Sequence, residues 1–279
     1  RPMKIVTTNE ALMRFVPHSI KPVAGESPLF DKISAHLQLA EDWVLNTFMP
    51  EATFNRIASY TDTNPLLHNV GQLIVADALC RAIPSLDLVL TPNGFGVVGT
   101  QTVAAASKQR VDRLIGSMRD LRDEAIENML ALLPGAHAWA SSPFAQFFGA
   151  TLFPNIDLVT LMGIDTGRWE KYLEIRQEVL VIEESLAEDY LSHEQLKGLR
   201  KHHLEGTLDD DTRRVVNAVR SEIVRVLKTN TFNATRMRDV VNFIRYREAS
   251  FPEWHASNTA KLFSPPKFEN KKNAKGYWF

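Results

Sequence analysis

The sequence predicts a mainly α-helical protein made of two similar four-helix units, with one β-hairpin inserted in the first. Three observations support this class. Apolar residues recur every three or four positions through most of the chain, which indicates buried helix faces. Only one stretch, residues 87–98, alternates like paired strands around a turn. The helix–break–helix pattern of residues 29–60 returns in residues 171–202.

Prolines and capping residues mark the helix starts in the first half. Thr7 and Glu10 fit a capping box for a short helix. Ser27 precedes Pro28 and Asn64 precedes Pro65, and proline suits the first helical turn because its missing N–H is not needed there. The apolar stripe of the long helix after Pro28 consists of Leu29, Ile33, Leu37, Ala40, Val44 and Phe48.

The hairpin prediction rests on the turn Thr91-Pro92-Asn93-Gly94 between two β-branched runs. Residues 94–99 also match the G-x-G-x-x-G pattern of dinucleotide-binding loops. Such a loop must lead straight into a helix whose N-terminus meets the pyrophosphate. Here the next helix begins only near Ser107, so the glycines are assigned to the hairpin and no cofactor is expected.

Further helices are predicted over residues 108–133, 167–190, 193–203, 211–228 and 234–250. The predicted organisation is a first helical unit over residues 3–133, a connecting segment over 134–154, a second unit over 155–250 and an extended tail over 251–279. The connecting segment is rich in Gly, Pro, Ser and aromatic residues, and the tail has three prolines and no helical period.

The pattern of residues 29–60 returns in residues 171–202 at a constant sequence offset, and an internal duplication is the simplest explanation. At this offset Glu41 aligns with Glu183, and the helix break at Pro50 aligns with Ser192, which starts its own helix. Apolar matches are weaker evidence, because all amphipathic helices share one period. They place Phe30, Ile33, Leu37, Ala40, Leu45, Phe48, Phe54 and Ile57 on Tyr172, Ile175, Val179, Ile182, Ala187, Tyr190, Leu196 and Leu199.

Composition argues against several function classes. The chain has 32 basic and 33 acidic residues and a net charge of −1, so general attraction to nucleic acid or lipid is not expected. Its single cysteine, Cys80, excludes an internal disulfide and fits a small core residue. No apolar run of membrane-spanning length and no secretory leader are apparent, so no membrane association is expected.

No coherent active site or metal site emerges from the motifs. A zinc-binding helix would need a second histidine four residues after His193, and the sequence has none there. His202 and His203 are adjacent, so on a helix their side chains point in different directions and do not converge on one ion. Glu41 and Glu183 could pair across a core, but a capping or arginine-paired role is the ordinary interpretation. The sequence therefore predicts no enzyme, no metal and no cofactor.

Residues at the hairpin turn and in the tail are the candidates for interaction. Aromatic groups in a segment without its own core indicate docking, either onto the same chain or onto a neighbour. Four arginines near residues 213–225 and the tail lysines allow non-specific contact with DNA phosphates, although a solvated face is the ordinary interpretation. The candidate residues are Asn93, Gly94, Phe95, Phe263, Phe268, Lys271, Lys272, Tyr277, Trp278 and Phe279.

The segments Leu88–Val98 and Ala105–Leu114 resemble an uncharacterised family encoded in phage and prophage structural regions of gut bacteria. The opening, Thr7–Phe15 and then Phe30–Glu41, is similar to the N-terminal pattern of phage head–tail connector (adaptor) proteins. The resemblance implies a non-enzymatic structural protein that forms a homo-oligomeric ring with a portal or other virion proteins. It also implies a location in the bacterial cytoplasm during assembly and then in the virion. This chain is about twice the length of typical connectors, which leaves its ring symmetry open.

A helical module of the host cell that binds a ligand or a partner and has a regulatory role is the alternative hypothesis. In that case the Gly94–Gly99 loop or a cleft between helices would hold the ligand.

Overall fold

The computed structural model describes residues 1–21, 24–86, 88–91, 94–97 and 107–264, and it is mainly α-helical, as predicted. The helices of the first half are α1 (Asn9–Met13), α2 (Leu29–Phe48), α3 (Glu51–Ala58), α4 (Pro65–Ala82), α5 (Lys108–Leu132) and α6 (Pro143–Gly149). Those of the second half are α7 (Asp157–Leu161), α8 (Arg168–Leu186), α9 (His193–Glu205), α10 (Asp210–Thr229), α11 (Ala234–Arg245), α12 (Pro252–His255) and α13 (Asn258–Leu262).

Local capping chemistry explains most helix starts. The side chain of Asn64 accepts hydrogen bonds from the first two amides after Pro65, and Asp209 caps α10 by accepting from the amide of Thr212. Three expectations need correction. Thr8 rather than Thr7 caps α1, and Pro28 is the N-cap residue of α2, which begins at Leu29, and not its first helical residue. Ser107 is the N-cap residue of α5, and its side chain makes no capping hydrogen bond.

The predicted hairpin is present as β2 (Leu88–Thr91) and β3 (Gly94–Val97), which pair antiparallel. A short strand that the sequence analysis missed, β1 (Ile20–Lys21), pairs parallel with β3, so the strand order is β1-β3-β2. Gly94 therefore lies in a paired strand and not in a loop that leads into a helix. A strand of two residues is too short to show a period, which is why β1 was not predicted.

Helix α4 is the central helix of the first half. It packs against both α2 and α5, and most of its residues are buried. The segment Pro65–Ser85 is by length and composition apolar enough to cross a membrane, with a mean hydropathy of 1.2, and 67% of that window is buried inside the protein. A core helix of this kind passes the same test. The same buried core continues through both halves of the chain.

The helix order α2-α3-α4-α5 recurs as α8-α9-α10-α11, and specific contacts recur with it. The indole N–H of Trp139 donates to the carbonyl oxygen of Phe48 at 2.8 Å, and that of Trp254 donates to the carbonyl of Tyr190 at 2.7 Å. Phe48 and Tyr190 each lie at the C-terminal end of the first long helix of their unit, at the same offset as Glu41 and Glu183. Shared amphipathic periodicity does not explain such matched side-chain contacts.

Each tryptophan is followed by the same closing structure. The hydroxyls of Ser142 and Ser257 donate to the carbonyl oxygens of Trp139 and Trp254 at 2.6 Å, and each hydroxyl also caps the short helix that follows. Phe148 and Phe263 then lie 6.5 and 6.2 Å from the two indole rings. The two tryptophans, the two serines and the two phenylalanines are each separated by the same number of residues. This separation is shorter than that between the corresponding long helices, because the hairpin insert lengthens only the first unit.

These contacts define the two units, hereafter unit 1 (residues 4–149) and unit 2 (residues 151–264). Most of the expected connecting segment, residues 134–154, instead belongs to unit 1, which residues 134–149 close with α6. Residues 251–264, expected to be extended, instead form α12 and α13 and bury Trp254. Helices of one turn show no period in the sequence, so only their packing reveals them.

Candidate interaction surfaces

The predicted glutamate pair, Glu41 and Glu183, lies in the core of the units and not in a shared carboxylate site. Glu41 accepts hydrogen bonds from the backbone amides of Lys4 and Ile5, at 3.0 to 3.3 Å. Glu183 accepts from the amide of Leu152 at 2.8 Å and from the hydroxyl of Thr151 at 2.7 Å. Each buried carboxylate thus fastens the segment that enters its own unit.

The electrostatics of the two glutamates differ. Arg200 donates to Glu183, with a shortest N–O distance of 2.6 Å between the side chains. Burial raises the pKa of Glu183, and Arg200 offsets this only in part. In unit 1 the charged partner of Glu41 is Arg1, at 3.3 Å. Both glutamates are structural anchors of the repeat.

Ion pairs and a backbone hydrogen bond hold the two units together. Arg122 on α5 bonds Asp123 and reaches Glu170 on α8, while the second oxygen of Asp123 accepts the backbone amide of Arg168 at 2.9 Å. Burial raises the pKa of Asp123 despite the neighbouring guanidinium of Arg122. Arg168 also pairs with Glu127. The N-terminus of α8 is therefore bound to helix α5 of unit 1.

The hairpin presents one open backbone edge among the described residues. The amide of Phe95 donates to the carbonyl of Ser19, at 2.6 Å, on the β1 side of the sheet. In an antiparallel ladder the residue opposite, Leu90, is then in a non-hydrogen-bonded pair, so its own N–H and C=O point away from β3. Strand β2 stands last in the order β1-β3-β2. Leu88 and Leu90 thus offer backbone donors and acceptors along that edge.

Of the three hairpin residues predicted for interaction, Gly94 and Phe95 lie in the described part of the chain, and their environments differ. Gly94 pairs with Thr91 beside the turn, whereas the Phe95 side chain is half-buried against the core. Phe95 therefore anchors the hairpin to the body, and the outer edge of β2 has no strand partner among the described strands. Asn93 lies outside the described residues.

A second surface, hereafter the aromatic face, lies on unit 2 where the chain reaches Ser264. Tyr190 is half-buried, with its ring 6.2 Å from Phe263 and 5.9 Å from Phe232. Phe232 and Leu262 are 46% and 71% exposed. Of the predicted tail residues only Phe263 is described, and it belongs to this face. Phe268, Lys271, Lys272, Tyr277, Trp278 and Phe279 lie outside the described residues.

The corresponding face of unit 1 is covered. Its counterpart residues, Phe48 and Phe148, are 0% and 1% exposed. Trp169, from the first residues of α8, packs against them with ring-centroid distances of 4.9 and 6.5 Å. Trp43 adds an edge contact to Trp169 at 6.5 Å. An aromatic side chain from the following unit thus completes this cluster in unit 1.

A cavity of about 470 Å³ lies between the end of unit 1 and unit 2. Arg220 donates to Asp157 at 3.1 Å and stacks over the ring of Phe153 at 4.8 Å. The Nε of Arg220 and the Oδ1 of Asp157 are buried and make no hydrogen bond within the described protein. His203 lines the same cavity, and burial together with Arg220 lowers its pKa to about 4.

The remaining chemistry-bearing residues have ordinary structural roles. Burial raises the pKa of the Cys80 thiol to about 11, which fits a core residue and not a thiolate nucleophile. No group of three or more His, Cys, Asp or Glu side chains in the described part of the chain could hold a metal ion. Three of the four arginines considered for DNA contact form ion pairs, namely Arg213 with Asp210, Arg220 with Asp157 and Arg225 with Glu222.

Comparison with known proteins finds a match to part of the chain. Residues 20–148 match the model of a family of unknown function (DUF6712). The match starts at β1 and ends at Phe148, the aromatic residue that closes unit 1. No curated protein and no solved structure matches the chain. The matched region is therefore unit 1 with its hairpin, without the segment that precedes β1.

Proposed function

We propose that this protein is a non-enzymatic structural subunit of a phage or prophage particle, a head–tail connector that assembles into a ring with a portal. The observation that carries the proposal is the edge of β2, which pairs with no other described strand, on a hairpin that is inserted in one of two otherwise similar units. An exposed strand edge is a ready template for pairing with another chain.

The two-unit design suits assembly. Because only unit 1 carries the hairpin, the two ends of each subunit differ, and contacts between copies through this edge can be heterologous. Heterologous contacts generate rings when the rotation closes. The ion pair of Arg122 with Glu170 and the packing of Trp169 on Phe48 join unit 2 to the helical body of unit 1.

A pair of proline variants tests the role of the edge. Leu90→Pro removes an N–H that faces away from β3, so the hairpin ladder is retained and only the free edge is blocked. Val89→Pro removes an N–H that faces β3 and serves as the matched control, with an expected loss of thermal stability. Circular dichroism melting is measured on both variants before any assembly experiment.

The assembly readout is the stoichiometry of the chain in phage-like particles from an induced culture, measured by quantitative mass spectrometry. We expect about one or half a copy per portal subunit for the unaltered protein, and exclusion of the Leu90→Pro variant from the particles. Absence of the unaltered chain from intact particles, with abundant protein in the lysate, would refute the connector proposal. Normal incorporation of Leu90→Pro would refute the role of the edge.

A host-cell ligand-binding module is the second candidate, because Arg220 and His203 line the cavity between the units. A guanidinium beside a histidine suits a small carboxylate or phosphate. Thermal shift with inorganic phosphate and with citrate tests this function. A saturable rise in melting temperature that Arg220→Gln abolishes would favour the ligand-binding module over the connector.

A further inference from the structure

We propose that the aromatic face of unit 2 is the docking site of this chain's own C-terminal aromatic residues, Tyr277, Trp278 and Phe279. The inference is independent of the connector proposal, because it concerns a contact within one chain. It rests on the difference between two corresponding faces: the one on unit 1 is covered by Trp169, whereas no described residue covers the one on unit 2 in the same way.

The repeat indicates what kind of group is missing. In unit 1, Trp169 from the polypeptide that follows α6 covers Phe48 and Phe148. In unit 2 the same two positions are Tyr190 and Phe263, and both are partly exposed. The polypeptide that follows α13 is the tail, residues 265–279, and its sequence ends with three aromatic side chains. Burial of aromatic rings against other rings is strongly favourable, so the open cluster attracts an aromatic residue.

The tail is long enough to return to the face. Residues 265–279 can span roughly 50 Å when extended, and they follow Ser264, the residue after Phe263. In unit 1 the chain makes the corresponding return, from Phe148 to Trp169, and also forms α7 on the way. A return to the aromatic face is therefore within reach of the tail.

Charge complementarity supports the same occupant. Residues 265–279 contain four lysines and one glutamate. The described residues beside the face include the exposed acids Glu188 and Asp189, in the π-helical turn that ends with Leu191. Glu194 and Glu253 line a neighbouring cavity of about 480 Å³ together with residues at the start of α13. The lysines can therefore lie against carboxylates while the aromatic residues bind the rings.

Photo-crosslinking on the full chain tests the docking. Trp278 is replaced by p-benzoylphenylalanine, and Asn273 is replaced by the same residue as the control. We expect the residue at 278 to crosslink, within single chains, to peptides that contain Tyr190, Phe232 or Phe263, and to do so independently of protein concentration. Crosslinks that join two chains only, or no crosslink to the aromatic face, would overturn the proposal. An equal yield at that face from position 273 would also overturn it.

A double-mutant cycle gives an independent readout, since Phe232 is exposed enough to be replaced without loss of the fold. We expect Trp278→Ala to lower the melting temperature by about 2–4 °C. In the Phe232→Ser background this shift falls to less than half, because the two residues share one contact. Phe147→Ser, at a 40% exposed aromatic residue of unit 1, is the control background and leaves the shift unchanged. An unchanged shift in both backgrounds, or no shift at all, would contradict docking on this face.

Discussion

Removal of the Glu183 carboxylate is the perturbation that most directly tests how each unit holds its entering segment. This group accepts hydrogen bonds from Thr151, Leu152 and Arg200 and is 1% exposed. Glu41 holds the corresponding position in unit 1, with backbone amides and Arg1 as partners. Replacement of each glutamate by alanine therefore compares the same position in two environments.

The structure gives the magnitudes. Removal of one partner from a buried ion pair costs about 3–5 kcal/mol, and the low end applies because Arg200 keeps a second carboxylate, Glu184, at 3.2 Å. The orphaned amide of Leu152 adds about 1 kcal/mol. We therefore expect Glu183→Ala to lower the free energy of unfolding by about 4 kcal/mol. Glu41→Ala should cost less, about 2 kcal/mol, because its partners lie in residues 1–5, which are exposed or half-buried, so water satisfies part of the groups that the carboxylate leaves.

Glu183→Gln refines the test. Because burial raises the pKa of Glu183, the folded protein favours the uncharged form of this side chain relative to an exposed glutamate. A neutral amide of the same shape is then tolerated better than alanine, with a loss of about 2 kcal/mol from the weakened hydrogen bonds. Urea denaturation followed by circular dichroism gives all three values, provided that the slope of the transition is unchanged.

Two results would refute this reasoning. A loss below about 1 kcal/mol for Glu183→Ala, which is no more than one ordinary hydrogen bond, would mean that the buried carboxylate does not anchor residues 151–152. Equal losses for Glu183→Ala and Glu41→Ala would mean that Arg200 and the burial of the junction add nothing to the anchor.

The other predictions concern the tryptophans, a histidine and the cysteine. Trp139→Phe and Trp254→Phe should each lower the free energy of unfolding by about 1–2 kcal/mol in urea titrations, because each removes one indole-to-carbonyl hydrogen bond; a loss at only one position would contradict their equivalence. His203 has a pKa of about 4 in the folded protein, below its unfolded value of about 6.5. The contribution of its neutral imidazole to the free energy of unfolding is therefore complete above pH 6.5 and is lost as the pH falls towards 4. His203→Gln should remove this acid sensitivity, at most about 3 kcal/mol, in melting curves from pH 7 to 4, and an unchanged pH profile would argue against it. Cys80 should react with a disulfide reagent at pH 8 at least about 100-fold more slowly in native than in unfolded protein, because its pKa is about 11; fast native labelling would contradict this raised pKa.

Long helices and the hairpin are predictable from the sequence because their signals are local. The stripe from Leu29 to Phe48 repeats over several turns, and Asn64-Pro65 marks a helix start to the residue. Asn93-Gly94 between β-branched runs is a strong short-range hairpin signal. The offset that matches Glu41 with Glu183 is also visible in the sequence, although their buried anchoring role is not.

Tertiary structure alone reveals the limits of the units. Trp139 and Trp254 mark the closing structure of each unit, but their offset differs from that of the long helices, so the pair is hidden in a search at one offset. A Trp-x-x-Ser pattern becomes informative only when the indole N–H is seen on the carbonyl of Phe48 or Tyr190.

The sequence by itself determined the fold class, the order of the long helices, the hairpin and the repeat, since periodicity, capping and turn chemistry act over a few neighbouring residues. Only the tertiary structure decided that the glutamates anchor backbone segments and that Trp169 completes the cluster of unit 1. It also showed that, within the part of the chain that the structure describes, the counterpart cluster on unit 2 is partly exposed. Those features depend on contacts between residues that are far apart in the chain, such as Trp139 with Phe48, and a one-dimensional pattern does not specify which of many apolar or charged residues will meet.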